Sequence, residues 1–454
     1  MCSAYCANFS FVTSPTPQRQ TRQGKFRAGA KVVATRMLAM FTARGPGFRR
    51  LAQAHAGSVG GDTLVAMALA GTLFFSVPST EARENVALYL LITLAPFALI
   101  GPFLGGFFAR FPGAFRGGLV ASSAIRAVLA TVMAIWLDSF LLFPLAFALL
   151  VLSRFHGISR SSVVPLVLGD PRDLISGNAQ LARIGVLASA VVIPIGLLGV
   201  GFDNPSVTLI MATLVYTWSA LSAAGLPALR IQSDKSREAR MRRKRAVTPR
   251  DVRLARFATA GVRFLNGFLL LLVAFAFRDE DAGLADFSAL LAAAGLGYFV
   301  AAFITPILDR KISEEPMVVT GLAIEAGAAF IAAQVFGLPA AAALAAAAGF
   351  AWGTAKFGFD GLLQATVPEE ARGRAFTNAE TFFQFAWVVG ALLPVFLTIP
   401  TGFGLTLAGL TALGVQVVYI SVVLIPVARR RRIAVEQAAA RDRNPPDTNV
   451  LDLM

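Results

Sequence analysis

Four charged residues stand inside long apolar runs of this chain: Asp62, Arg126, Arg263 and Glu325. A lone charge inside a bilayer is costly, so it finds a partner or lines water. Asp62 precedes Arg126 by nearly the interval that separates Arg263 from Glu325. The second set reads as the first with its signs exchanged, and two ion pairs are expected, Asp62–Arg126 and Arg263–Glu325. Each would staple one bundle of helices together. Such a pair could also carry a proton. Burial favours the neutral carboxyl and a neighbouring arginine favours the ionised one, so separating the partners would switch protonation.

The elements around these residues must be membrane spans. The chain has 454 residues, of which 56% are hydrophobic and 15% charged. A soluble domain could not hide that much apolar surface, whereas a bilayer can. The net charge of +15 would suit nucleic acid, but the basic residues sit in short segments beside apolar runs. That placement fits orientation in a membrane and points away from a nucleic-acid partner. Cys2 and Cys6 are the only cysteines, and His55 and His156 the only histidines. No disulfide framework, metal site or cofactor is expected.

Apolar runs of spanning length fall at 57–78, 85–109, 117–137, 140–158, 175–200 and 205–227. A second set falls at 256–277, 286–308, 316–336, 338–358, 376–399 and 403–427. Runs this long are helices, because a helix satisfies its own backbone groups in lipid. The expected organisation is a disordered basic tail at 1–50, a six-helix half at 51–227, a basic linker at 228–255, a second half at 256–427 and a basic tail at 428–454. Arg154, His156 and Lys356 read as lying near cytoplasmic span ends, where a long cation can snorkel. Glu380 reads as a charge favouring the start of the eleventh span.

Charge sets the orientation. Between Arg230 and Arg256 run eleven Lys/Arg against three acids, Asp234, Glu238 and Asp251. Such a loop stays in the cytosol. With both termini cytoplasmic, the 41 Lys and Arg fall on the inner side except for Arg83 and Arg278 in outer loops and Arg126 and Arg263 within spans. The outer loops instead carry acids, Asp279-Glu280-Asp281 among them.

The two halves also repeat in sequence. Asn178-Ala179 matches Asn378-Ala379, Pro194 matches Pro394, and Ala109-Arg110 matches Asp309-Arg310. Parallel six-helix repeats are expected of transporters that rock about a central site. The loop Gly105-Gly106-Phe107-Phe108-Ala109-Arg110 and its copy ending in Asp309-Arg310 resemble the loop signature of the major facilitator superfamily. Pro368-Glu369-Glu370-Ala371-Arg372-Gly373-Arg374-Ala375 and Gly61-Asp62-Thr63-Leu64 resemble its enterobactin-exporter and macrolide-efflux-like branch.

That resemblance implies an all-α membrane protein of twelve helices that works by alternating access. It implies proton-coupled efflux of a small amphipathic substrate across the plasma membrane. It also places Arg263, Asn266, Trp352 and Lys356 on helices that line the cavity, and makes Arg110, Asp309, Arg310, Arg372 and Arg374 gating residues. The antiporter signature of the fifth span is partial, with Ile193 where a glycine is usual before Pro194. We expect a monomer and no catalysis. An uptake permease of the same fold, or a membrane scaffold that binds without transport, is the alternative. The sequence has neither His-Glu-x-x-His nor a Walker A loop, and its one dense acidic run lies in an outer loop, so an enzyme is not expected.

Overall fold

A computed structural model of the chain describes residues 39–42, 44–69, 114–137, 139, 141–201, 204–227, 250–279, 284–309 and 315–424. The fold divides into Met1–Ala43 and Arg44–Met454, and the helices below belong to the second unit. The second span expected at 85–109, the tails, most of the linker, Arg110 and Arg310 lie outside the described residues, as does the side chain of Asp309.

The first half contains α1 (Gly45–Leu69), α2 (Phe115–Ile135), α3 (Leu142–Leu168), α4 (Leu174–Gly201) and α5 (Pro205–Ala224). The second contains α6 (Arg250–Asp279), α7 (Leu284–Asp309), α8 (Glu315–Gln334), α9 (Leu338–Thr366), α10 (Glu369–Phe396) and α11 (Thr401–Tyr419), followed by a π-helical turn, Ile420–Leu424. Eight of the described helices are long and apolar enough to cross a membrane. α1, α3 and α8 fall short of that measure. Two of them, α1 and α3, carry His55, Ser58 and Asp62, and Ser153, Arg154 and Arg160.

From α2 onward the chain runs up and down, so successive helix starts alternate sides. We call the side where α5 ends and α6 begins the linker side. The packing repeats between halves as the sequence does. α2 packs on α5 as α8 packs on α11, and α1 on α4 as α6 on α10; α2 also meets α3 as α8 meets α9. Each half has its own apolar core, one around Leu64, Ala130 and Leu209, the other around Val262, Leu322 and Leu405.

A third core lies between the halves, where Ile175, Ala179 and Ala182 of α4 meet Ala301 and Ala302 of α7 and Phe350 and Phe357 of α9. Hydrogen bonds reinforce this seam. Asn178 Nδ2 donates to Gln364 Oε1 at 2.7 Å, and Gln364 Nε2 donates to the Ser161 carbonyl at 2.8 Å. Arg183 Nη1 donates to the Ala302 carbonyl at 2.8 Å while its guanidinium lies over Phe303. Asn178, Ser161, Ala302 and Gln364 all lie within two turns of their helices' linker-side ends.

Two close helix crossings in the second half depend on glycine. Gly267 on α6 lies against the Trp387 carbonyl of α10, and Gly390 on α10 lies against the Phe264 carbonyl of α6. Gly297 and Gly349 make the same reciprocal contact between α7 and α9. Small residues let helix backbones approach this closely in lipid. The first crossing brings Trp387 beside Arg263, and the second sets Tyr298 against Phe357. A Cβ at any of these glycines would overlap backbone, and overpacking of this kind costs about 1–3 kcal/mol. Gly267→Val and Gly390→Val should each lower the thermal midpoint of the purified protein, while Gly414→Ala, where nothing lies within 4 Å, should not. Equal midpoints for all three would contradict the close crossing.

Candidate functional site

A cavity of about 320 Å³ opens between the halves, near the lower end of the roughly 300–1,000 Å³ typical of small-molecule sites. Its walls come from α1, α3, α6, α7, α9 and α10. His55, Ser58 and Asp62 follow one another at helical spacing, so α1 presents them on one face. α9 does the same with Trp352, Lys356 and Asp360.

Asp62 is the centre of the first-half wall. Arg126 Nη1 donates to Asp62 Oδ1 at 2.8 Å, and the Tyr216 hydroxyl donates to the same oxygen at 2.6 Å. Ser153 Oγ donates to Asp62 Oδ2 at 2.7 Å. The Arg126 guanidinium also donates to Ser58 Oγ and to the Ser122 carbonyl, and lies 4.7 Å from the centre of the Tyr216 ring. Arg126 is 0% exposed, whereas Asp62 is 31% exposed toward the cavity. The expected pair therefore forms, with Asp62 as its accessible member.

The second expected pair does not form. Arg263 reaches into the cavity and stacks between Trp352 (4.6 Å) and Trp387 (5.7 Å). Glu325 is 1% exposed, set among Leu322, Ala326 and Ala329 in the second core. Neither of its carboxylate oxygens has a hydrogen-bond partner among the described residues. The reason is rotational: α6 turns Arg263 toward the other half, whereas α8 packs behind α9 and α11 and turns Glu325 into its own half.

A different cluster holds the second-half charge. Lys356 Nζ donates to Asp360 Oδ1 at 2.6 Å and to Glu380 Oε1 at 2.5 Å. Asp360 is buried, and Glu380 lines the cavity from about three turns into α10, well inside the helix. This corrects the reading of Glu380 as a helix-start charge. It also corrects Lys356, which lies ten residues before the end of α9. Arg154 lines the cavity too, and His156 is buried against Ser122 and Ser123. Arg160 Nη1 donates to His55 Nε2 at 3.2 Å.

The remaining expected site residues are placed as follows. Trp352 lines the cavity. Asn266 does not; its Oδ1 is buried without a hydrogen-bond partner among the described residues. Arg372 Nε donates to the Val367 carbonyl at the start of α10, and Arg374 sits half-buried in the same turn region. Sequence reasoning missed Asp360, Glu380, Arg160, Tyr216 and Tyr298. Lys356 and Asp360 stand at i and i+4, a spacing that signals a helical ion pair once both are placed in one helix.

No protein-family model matches the chain. An uncharacterised protein of Mycobacterium leprae (strain TN) is 29% identical over 427 residues, covering 84% of this chain and 73% of its own. An uncharacterised protein of Mycobacterium tuberculosis (strain H37Rv) is 39% identical over 137 residues, 29% of this chain and 24% of its own. Among solved structures, a bacterial homologue of the iron transporter ferroportin in its outward-facing state matches with a TM-score of 0.62 at 15% identity, covering 82% of this chain and 98% of that one. The human organic anion transporter MFSD10 matches with a TM-score of 0.62 at 15% identity, over 82% and 100%. The fucose:proton symporter of Escherichia coli matches with a TM-score of 0.56 at 14% identity, over 82% and 97%. The chain thus has the fold of the major facilitator transporters, and its described residues form a helical, multi-pass membrane protein.

Removing one member of a buried pair strands the other, which costs about 3–5 kcal/mol. Arg126 has no exposure and Asp62 has other donors, so the two substitutions should differ. Asp62→Asn should lower the thermal midpoint more than Arg126→Met. The double variant should recover part of the Asp62→Asn loss, as measured on purified protein. Additive losses would contradict the coupling.

Proposed function

We propose that this protein is a secondary active transporter that moves a small amphipathic molecule across the plasma membrane by alternating access. The observation that carries the reading is the charged cavity between two halves whose helix packing repeats. In a bundle with no passage, Arg263 would stand in the membrane without a carboxylate bonded to it, and the cavity-lining faces of Lys356 and Glu380 would open on nothing. Between two rocking halves they line the route.

The concentration of Lys and Arg on the linker side supports placing that side, and both termini, in the cytosol. The seam of α4 against α7 and α9 then seals the cytosolic side. Arg372 at the start of α10, together with Arg110, Asp309, Arg310 and Arg374, is proposed to tune that closure. Coupling is assigned to protons. Asp62 and Glu380 are the carboxylates that open onto the cavity, so a driving proton can enter and leave there. The fucose:proton symporter of the same fold is a proton-coupled carrier. Efflux is the proposed direction, on the resemblance of the motifs at 61–64 and 368–375. The unit of function is proposed to be the monomer, because the cavity is complete within one chain.

The test is a flux assay in proteoliposomes across a panel of small amphipathic compounds, with the proton gradient imposed in each direction. Flux should follow the gradient in the wild type and lose that dependence when Asp62→Asn and Glu380→Gln are combined. Flux that remains gradient-driven in the double variant would overturn the assignment of the coupling carboxylates. Binding without flux for every compound would favour the scaffold reading.

A further inference from the structure

The cavity is not neutral. Counting the groups that line it and those bonded to them, the first half supplies Arg126, Arg154 and Arg160 against Asp62. The second supplies Arg263 and Lys356 against Asp360 and Glu380. With every carboxylate ionised and both histidines neutral, two positive charges remain in excess among these described residues. The span expected at 85–109 contains no charged residue.

The excess has a focus. Asp62 is met by Arg126, Tyr216 and Ser153, and Glu380 by Lys356. Arg263 makes no hydrogen bond or ion pair with any described residue. Its planar group stacks between two indoles, and stacking leaves the in-plane N–H donors unused. Across the cavity, Arg160 has its Nε buried without a partner among the described residues. Arg154 of the first half and Glu380 of α10 are both close enough to Arg263 to act on it electrostatically, and Glu380 is shared among Lys356, Arg154 and Arg263. Like charges thus face each other across the two halves.

The walls beside them are aromatic. Tyr298, Trp352, Phe376 and Phe383 line the cavity, with Trp352 and Phe383 in edge contact at 6.0 Å. Guanidinium forks bind carboxylate and other oxyanions with paired hydrogen bonds, and aromatic faces take a planar apolar body.

We infer that the substrate is an organic anion: an acidic head group held between Arg263 and the first-half arginines, with an aromatic or similarly flat apolar body against the α9–α10 wall. This rests on the transporter reading for its biological meaning, but it is a statement about binding and can be tested by itself. An anion in this position neutralises the repulsion across the cavity. Its binding therefore favours the halves drawing together around it.

The experiment measures binding to the full chain in lipid nanodiscs by calorimetry. The probes are 2-naphthoate, its neutral amide, and 2-naphthylmethylammonium. Naphthoate should bind at least about tenfold more tightly than the amide, the scale of one charge-assisted contact, and the ammonium should bind more weakly than either. Arg263→Gln should erase the preference for naphthoate while amide binding persists, which shows that the variant is folded. Arg263→Lys should retain part of it. Equal binding of acid and amide, tighter binding of the ammonium, or no naphthoate binding to the wild type would overturn the proposal. If naphthoate binds but is not carried in proteoliposomes, the transport reading fails and the anion site stands. If neutral or cationic cargo is carried while naphthoate does not bind, the anion site fails and transport stands.

Discussion

Everything in this structure answers to the cost of holding charge inside a membrane. Arg126 has no exposure at all, and it is satisfied by one carboxylate, one hydroxyl, one carbonyl and one aromatic ring. Those partners come from α1, α2 and α5, so the pair fixes three helices of the first half to one another. Lys356 plays the matching part in the second half by joining α9 to α10. The halves are thereby internally rigid, and the polar groups left over face the space between them.

Rigidity within each half and polarity between them suit bodies that move as units. Inside the second half, reciprocal glycines bring backbones into direct contact, and such packing is bistable rather than continuously deformable. Between the halves the contact is thinner. It consists of apolar residues on α4, α7 and α9, with the Asn178–Gln364 pair as its buried polar link and Arg183 reaching the Ala302 carbonyl. A link between two neutral amides gives a single register to the closed state at a smaller desolvation cost than a buried ion pair would carry.

The helices and their order were legible in the sequence because apolar runs of spanning length have few other solutions in lipid. The repeat was legible too, and the packing of α8 on α11 copies that of α2 on α5. Asp62 and Arg126 were legible as a pair because each is isolated in its span. Symmetry misled where it was pushed to side-chain direction. Arg263 and Glu325 occupy the repeated positions, yet a small rotation of a helix decides which face meets the cavity, and residue spacing does not record it. Arg154 and Lys356 were read too near the cytoplasmic edge for a different reason. The apolar runs stop at 158 and 358, whereas α3 continues to Leu168 and α9 to Thr366. The extra turns set both residues deeper in their helices, and they carry Arg160, which the sequence reading missed. Asp360 lay just past the same false boundary.

The central claim is that two stiff halves move against each other across the α4–α7–α9 seam. Arg172 and Thr366 are exposed at the linker-side ends of opposite halves, so spin labels there report the seam directly. With Cys2 and Cys6 replaced by serine and labels at Arg172→Cys and Thr366→Cys, pulsed electron resonance in nanodiscs should resolve two distances. The shorter should match the closed arrangement described above, and the balance should shift with pH and added 2-naphthoate. One narrow distance, unchanged under every condition, would contradict the account.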